Sequence, residues 1–351
     1  MTDSSVVREI RGAVYIPAKS YNAYQMWRDY EPDVIERDFE YAAKLNLNAL
    51  RIWLSYEYWL ENRDALSEKY KHFLSAANER GLKVMPSLFE KCGVAPTREA
   101  LDNTDPLTAV CVHSPAKDIY ENPQRYVETA EYISWFMERF GGDQRQLAIE
   151  VINEPIGFEL FNFAREMFKA AAVLRKNVPL TIGCINLEHN MYFLDLGIDI
   201  LQHHDNFPRS EQELEVQLRK LKEASQLLGK PVWLTEWQRI RSTASGFGDQ
   251  PIGPGEWQPG YKSYANVLEK VPEIGTFLWS LMIKAAYLPS QRKKGTLNGV
   301  FHEDGAVWDL EDARAISGDA HFQAAERREW PEWLKAIPEA YLAGELKSNN
   351  L

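Results

Sequence analysis

Eight short apolar runs, each followed by a stretch of helical periodicity, succeed one another along this chain of 351 residues. That alternation is the pattern of parallel strands joined by crossover helices. Eight units in series predict a (β/α)8 barrel, the TIM barrel, an α/β fold built here as one elaborated domain over residues 1–351. Strands are expected at residues 12–16, 48–54, 82–88, 148–152, 179–184, 198–203, 232–235 and 275–280. Helices are expected at 32–45, 64–80, 123–140, 158–176, 211–228, 261–268 and 310–316, with a weak helical stretch at 189–196. In the first of these, Ile35, Phe39, Ala42, Ala43 and Leu45 fall near one face. Gly81 stops the second, as a glycine after a helix does. Residues 89–122, rich in Pro, Asp, Asn and Thr, show no obvious element, and a loop of that length usually carries function. Residues 319–351, with Trp330 and Trp333, are expected as a C-terminal extension packing on the barrel.

Composition narrows the class of partner. The chain is 45% hydrophobic and 26% charged, enough apolar material for a large core. With 40 basic and 51 acidic residues, the net charge of -11 repels a phosphate backbone, and no basic stripe with interleaved aromatics is present. No nucleic-acid partner is expected. No apolar run approaches the roughly 18 residues that span a bilayer, so no membrane partner is expected either. The stretch from Met1 to Ile10 lacks the basic and apolar regions of a signal peptide, which points to the cytoplasm. Cys92, Cys111 and Cys184 are too few and too scattered for a disulfide framework or a zinc site and are expected as reduced thiols, although Cys92 and Cys111 share one loop. The Gly-rich residues 246–255 have neither a phosphate-loop ending nor a dinucleotide fingerprint and read as a plain loop. No cofactor and no metal are expected, and oligomeric state leaves no mark on the sequence.

The chemistry is carried by two strand ends. Ile149-Glu150-Val151-Ile152-Asn153-Glu154-Pro155 delivers Asn-Glu-Pro to the end of the fourth strand, and Pro231-Val232-Trp233-Leu234-Thr235-Glu236-Trp237 brings a second glutamate to the end of the seventh. Barrel chemistry sits at strand C-termini, and the fourth and seventh strands stand on opposite sides of the mouth, so Glu154 and Glu236 can face each other across it. Cleavage of a glycoside with retention needs one carboxylic acid and one carboxylate about 5–5.5 Å apart. A glutamate after an apolar strand can also be only a solvated strand end, and Asn-Glu-Pro alone is a weak signal. The two together, at these strand numbers and with Arg51 and Trp279, favour the catalytic reading. Asn153 can offer its amide to a sugar 2-hydroxyl, and Pro155 fixes the backbone just past the acid.

With Leu50-Arg51-Ile52-Trp53 on the second strand and Leu278-Trp279-Ser280 on the eighth, the chain resembles the clan A glycoside hydrolases. Most similar are the family 5 and family 2 type of retaining β-glycosidase, in order and spacing from residue 12 to 316. The resemblance implies Glu154 as acid/base, Glu236 as nucleophile and Asn153 as 2-hydroxyl ligand. It further implies Arg51 as the cation that keeps the nucleophile ionised and Trp279 as the floor of the sugar subsite. Gly299-Val300-Phe301-His302-Glu303-Asp304-Gly305 resembles the Asp-Gly turn that follows strand eight in these enzymes. Where family 5 carries a histidine near the end of strand three this chain has Phe89-Glu90. The His-x-Tyr of strand six is partly matched by His203-His204-Asp205-Asn206-Phe207, and the tyrosine that touches the nucleophile has no counterpart.

Further candidates are weighed against packing. His204 can contact the sugar or the nucleophile, or be a packed core histidine; adjacent residues of a strand face opposite ways, so His203 is expected outside the site. Glu90 is a candidate hydroxyl ligand at the mouth. Trp53 and Trp237 are counted as substrate-binding, and Trp27, Tyr56, Trp59, Trp257 and Tyr287 as subsite aromatics or core. The run Gln291-Arg292-Lys293-Lys294 can bind an acidic sugar or simply be solvated. Glu154 should have its pKa pushed up by its neighbour's charge and Glu236 pulled down by Arg51. The expected activity is double displacement on β-glycosidic bonds of oligosaccharides or small β-glycosides, a β-mannoside, β-glucoside or β-galactoside. The carbohydrate substrate is the expected partner. Alternatives are a transglycosylase of the same mechanism, a non-catalytic carbohydrate-binding barrel, and a metal-dependent barrel hydrolase, whose His-x-His after the first strand is absent.

Overall fold

The computed structural model describes residues 10–243, 256–288, 292 and 295–337. Its eight parallel strands are β1 (Arg11–Val14), β2 (Ala49–Trp53), β3 (Lys83–Glu90), β4 (Ile149–Asn153), β5 (Leu180–Gly183), β6 (Leu201–Asp205), β7 (Val232–Trp237) and β8 (Gly275–Leu278). They lie in the order β5-β4-β3-β2-β1-β8-β7-β6. A parallel bridge between Thr181 and Ile200 closes the ring between β5 and β6, and Thr181 Oγ1 donates to the Ile200 carbonyl at 2.8 Å. The strands are short and almost wholly buried because helices cover their outer faces while side chains fill the interior. The sequence segments 246–255 and 338–351, the first nine residues, and Gln291, Lys293 and Lys294 of the charge run lie outside the described residues.

Local chemistry explains most element boundaries. Helix Pro32–Lys44 begins with proline, whose fixed φ and missing N–H suit a first turn, and buries Ile35, Phe39 and Ala42. In helix Glu211–Leu228 the Ser210 hydroxyl accepts from Glu213 N at 3.1 Å, and Gly229 ends it in the left-handed conformation. Helix Tyr56–Glu79 starts well before the expected residue 64, because Ser55 caps it and Asn62 interrupts it with φ -155, ψ 79. The weak stretch near residue 189 is a 3-10 helix, Glu188–Leu196. Residues 89–122 are more ordered than expected. They hold helices Arg98–Asp102 and Lys117–Tyr120, and they are tied to the barrel mouth where Glu90 and Ser114 exchange backbone hydrogen bonds of 2.8 and 2.7 Å.

Past β8 an antiparallel pair, β9 (Lys284–Ala285) and β10 (Leu297–Asn298), stands beside the mouth. Ile283, Ala285, Leu297, Trp308, Leu334 and Ile337 form a second apolar cluster there, with Trp330 and Trp333 packed against it. Val307 joins the residues after 319 to the body, its N–H donating to Ala325 O at 2.8 Å and its carbonyl accepting from Arg327 N at 2.9 Å. Among the described residues no helix is long and apolar enough to cross a membrane.

Gly12, on β1, pairs with Ala49 and Phe277 of the flanking strands. A Cβ there would lie 2.3 Å from the Phe277 ring, which is wholly buried. Gly12→Ala is therefore expected to lower stability by about 1–3 kcal/mol through overpacking, read as an earlier urea midpoint; an unchanged midpoint would show that the ring can move aside at no cost.

Candidate active site

Arg51 of β2 points into the barrel and is wholly buried. Its Nη1 donates to Glu236 Oε1 at 2.9 Å, and its Nε and Nη2 donate to Glu150 Oε2 and Oε1 at 2.9 and 2.7 Å. Nη2 also donates to Asn153 Oδ1 at 2.5 Å. A planar guanidinium can reach both carboxylates and an amide at once, which a lysine cannot. Glycine at position 183 makes room: a Cβ would lie 2.7 Å from Glu150 Oε1 and 3.0 Å from Arg51 Nη2.

Glu150 and Asn153 are three residues apart on β4, so regular alternation would aim them at opposite faces. A register shift against β5 between these two residues turns both inward. Glu154 then adopts φ 49, the left-handed region, which costs a residue with a side chain about 1–3 kcal/mol. The turn places its carboxyl beside Asn153 in the same cavity, and its N–H donates to the Gly183 carbonyl at 2.7 Å.

Glu236 reaches the cavity from β7. Asn206 Nδ2 donates to its Oε2 at 3.2 Å, and Gln238 Nε2 donates to Asn206 Oδ1 at 3.0 Å. His204 Nδ1 lies 2.7 Å from Glu154 Oε1 and 3.6 Å from Glu236 Oε1. Taking one donor atom each from Glu154, His204 and Glu236, all three lie within 4.8 Å of one another. Three such donors could hold a cation, but the Arg51 guanidinium already stands 2.9 Å from the Glu236 oxygen, so an ion there would face a fixed positive charge.

Glu90 is half-buried at the end of β3. Asn153 Nδ2 donates to its two oxygens at 3.0 and 3.1 Å, and Cys92 N donates to Oε1 at 2.6 Å. The Cys92 thiol donates to Glu154 Oε2 at 2.9 Å. Cys92, Cys111 and Cys184 are all free.

These groups surround a cavity of about 360 Å³ lined by Asn153, Glu154, Glu236, Glu90, His204, Trp53 and Trp279 among others. The Trp53 and Trp279 rings meet edge to face at 5.7 Å, and Tyr287 packs on Trp279 at 5.7 Å. Other sequence candidates lie elsewhere. Trp237 does not line the cavity but packs against Tyr261 and Tyr264 at 5.9 and 5.2 Å; with Glu236 turned inward, the next residue of the strand turns outward. His203 likewise is absent from the lining and is buried, which lowers its pKa to about 3. Trp27 donates Nε1 to the Trp53 carbonyl at 2.8 Å within the core, and Tyr56 and Trp59 stack at 5.8 Å away from the cavity. Trp257 is not among the lining residues, and Arg292 of the charge run is buried with Nε donating to Ala286 O at 3.2 Å.

Sequence reasoning missed Glu150, Asn206 and Cys92. A carboxylate inside a strand that is apolar on both faces was the available signal for Glu150. Asn206 and Cys92 follow strands in irregular backbone, where no periodicity says which way a side chain turns.

Electrostatics departs from expectation. Burial raises the Glu236 pKa, His204 lowers it, Glu154's charge adds to the rise and Arg51 opposes it; the net direction is up. Burial also acts to raise Glu154, but the hydrogen bond and charge of His204 outweigh it, helped by the Cys92 thiol and Arg51, and hold it below its ordinary range. The expected order of the two is thus reversed in the substrate-free protein, because His204 stands nearer Glu154 than Glu236. Burial pushes Glu90 up to about 8, against the hydrogen bonds from Cys92 N and Asn153.

The fold and these side chains define a (β/α)8 barrel with paired carboxylates at its C-terminal mouth. No protein-family model matches the sequence, and no curated protein matches it. Among solved structures it is similar to the exo-beta-1,4-mannosidase Op5Man5 from Opitutaceae bacterium strain TAV5, with 16% identity and a TM-score of 0.63 over 88% of this chain and 58% of that one. It is similar also to the hyperthermostable endo-1,4-beta-D-mannanase from Thermotoga petrophila RKU-1, with 14% identity and a TM-score of 0.57 over 89% of this chain and 98% of that one. A third is GH5_18 from Streptomyces cattleya, with 14% identity and a TM-score of 0.58 over 91% and 83%. The chain spans little more than half the mannosidase, and at these identities what is shared is the fold.

Two outcomes follow from the packing and the charges. Gly183→Ala should force Glu150 and Arg51 apart and lower stability by about 1–3 kcal/mol; a urea midpoint equal to that of the parent protein would contradict it. Glu90 titrates near 8 when folded against an ordinary 4.5, so its contribution to stability is whole below pH 4.5 and is lost as pH rises through about 8. Glu90→Gln should flatten the fall in stability across that window, measured by denaturant titration at several pH values, and an unaltered slope would refute the assignment.

Proposed function

We propose that this chain is a clan A type retaining β-glycoside hydrolase that cleaves oligosaccharides or small β-glycosides by double displacement. One observation carries the reading: carboxylate oxygens of Glu154 and Glu236 approach within 4.8 Å. That suits the spacing of about 5–5.5 Å in retaining enzymes and falls short of the roughly 6.5–9.5 Å that leaves room for water in inverting ones.

In the first step Glu236, gripped by Arg51 and Asn206, attacks the anomeric carbon while protonated Glu154 gives its proton to the departing oxygen. The glycosyl ester on Glu236 is then opened by water, whose proton Glu154 takes. His204 decides when Glu154 is armed. With the imidazole positive, Glu154 is held ionised and idle. With the proton on Glu154 and Nδ1 accepting, Glu154 is the acid and Glu236 keeps its cation. His204 Nε2 is buried and has no hydrogen-bond partner among the described residues. Asn153 and Glu90 stand ready for the 2-hydroxyl, and Trp279 with Trp53 offers an apolar platform for the CH-bearing face of a pyranose. Among the three candidate sugars, β-mannosides come first, since a mannosidase and a mannanase share this barrel.

Aryl β-mannosides, β-glucosides and β-galactosides test the proposal, with NMR following the anomer first released. A β product is expected; an α product would exclude double displacement. Glu236→Ala should abolish turnover, whereas Glu154→Ala should lower kcat/KM by about 10²–10⁴-fold for a phenyl glycoside and much less for a dinitrophenyl glycoside, whose departure needs no proton. Hydrolysis by Glu236→Ala at the parent rate would overturn the assignment.

A further inference from the structure

Double displacement makes no use of a thiol, yet Cys92 is built into the cavity wall with its hydrogen aimed at Glu154. The Glu154 carboxyl is gripped on both oxygens, by His204 Nδ1 at 2.7 Å on Oε1 and by Cys92 Sγ at 2.9 Å on Oε2. The backbone around the thiol is held as firmly. Cys92 N donates to Glu90 Oε1 at 2.6 Å. Gly93 has φ 109, and a Cβ there would lie 2.1 Å from the Cys111 carbonyl. On the next residue, Val94 N donates to that carbonyl and Val94 O accepts from His113 N, each at 3.0 Å. The long loop after β3 thus folds back on itself at Cys92 and fixes where the sulfur sits.

We propose that Cys92 is a positioning residue for the acid/base: its S–H orients the Glu154 carboxyl toward the glycosidic oxygen and favours the ionised form that the second step needs. The inference rests on the glycosidase reading given above. Burial, with the charges of Glu154 and Glu90, pushes the thiol well up, so it stays protonated and acts as a donor, not as a nucleophile. The charged and titratable groups facing Glu154 come from several elements. They are Arg51 on β2, Glu90 on β3, Cys92 and Cys111 in the loop, His204 on β6 and Glu236 on β7. Of these, Cys92 and His204 alone hydrogen-bond the carboxyl among the described residues.

The sign follows from the donor role. A donor to a carboxylate lowers its pKa, so removing it lets Glu154 stay protonated to higher pH. Cys92→Ala and Cys92→Val both delete the donor, one leaving space and one filling it, while Cys92→Ser keeps a hydroxyl donor. Both donor-free variants should move the alkaline limb of kcat/KM upward by about one pH unit and lower kcat on a phenyl glycoside by about 10-fold. Their kcat/KM for a dinitrophenyl glycoside should stay near that of the parent, and Cys92→Ser should follow the parent throughout. If one donor-free variant does not fold, the other carries the comparison with Cys92→Ser. A limb that stays in place in the donor-free variants, or a Cys92→Ser that behaves like them, would overturn the proposal. Azide added to Glu154→Ala separates the two levels of inference. Recovery of activity as the β-glycosyl azide supports Glu154 as acid/base, and its failure would strike the glycosidase reading itself. With azide rescue intact, an unmoved limb in the Cys92 variants strikes only the role of the thiol.

Discussion

A guanidinium without access to water has to find its counter-charges inside the protein, and Arg51 finds them on β4 and β7. Burial opposes its charge, but Glu150 and Glu236 more than restore it. Removing one partner from a buried ion pair typically costs about 3–5 kcal/mol, since the other charge is left uncompensated. Much of the neighbourhood is shaped around this cation. The bulge in β4 turns Glu150 and Asn153 to the same nitrogen, and the missing side chain at Gly183 leaves their carboxylate and guanidinium room to meet. The strained backbone at Glu154 is carried by the same packed surroundings.

The charges at the mouth do not balance by simple pairing. Glu90, Glu150, Glu154 and Glu236 are four carboxyls gathered near one guanidinium and one imidazole. Burial pushes Glu90 up to about 8, the direction that favours its protonated form. The balance between Glu154 and Glu236 depends in part on distance to His204. Nδ1 sits 2.7 Å from Glu154 and 3.6 Å from Glu236, so the influence of the imidazole falls first on Glu154.

Much of this architecture was legible in the residues. Strands four and seven announced themselves as apolar runs ending in a glutamate, and helix Glu211–Leu228 carried its own start at Ser210 and stop at Gly229. Less legible were features that contradict local pattern. The kink at Asn62 hid the first turns of helix Tyr56–Glu79. The short helices in residues 89–122 are held by contacts with the mouth and have little periodicity of their own. Trp237 looked like a sugar platform by position, yet alternation from Glu236 sends it to the barrel wall. Asn206, which bonds the Glu236 carboxyl, sits just past β6 and offers no pattern to read.

The order of strands and helices, and which carboxylates stand at opposite strand ends, were set by the sequence alone, because side-chain periodicity and strand number are local properties that survive without coordinates. Which of those groups touch, and which one holds the proton, was decided only by the tertiary structure. A one-residue bulge, a left-handed φ at Glu154 and a loop folded back at Gly93 each move a polar atom by a few ångströms. Hydrogen bonds and pKa values respond to displacements of that size, and no pattern of residue types along the chain records them.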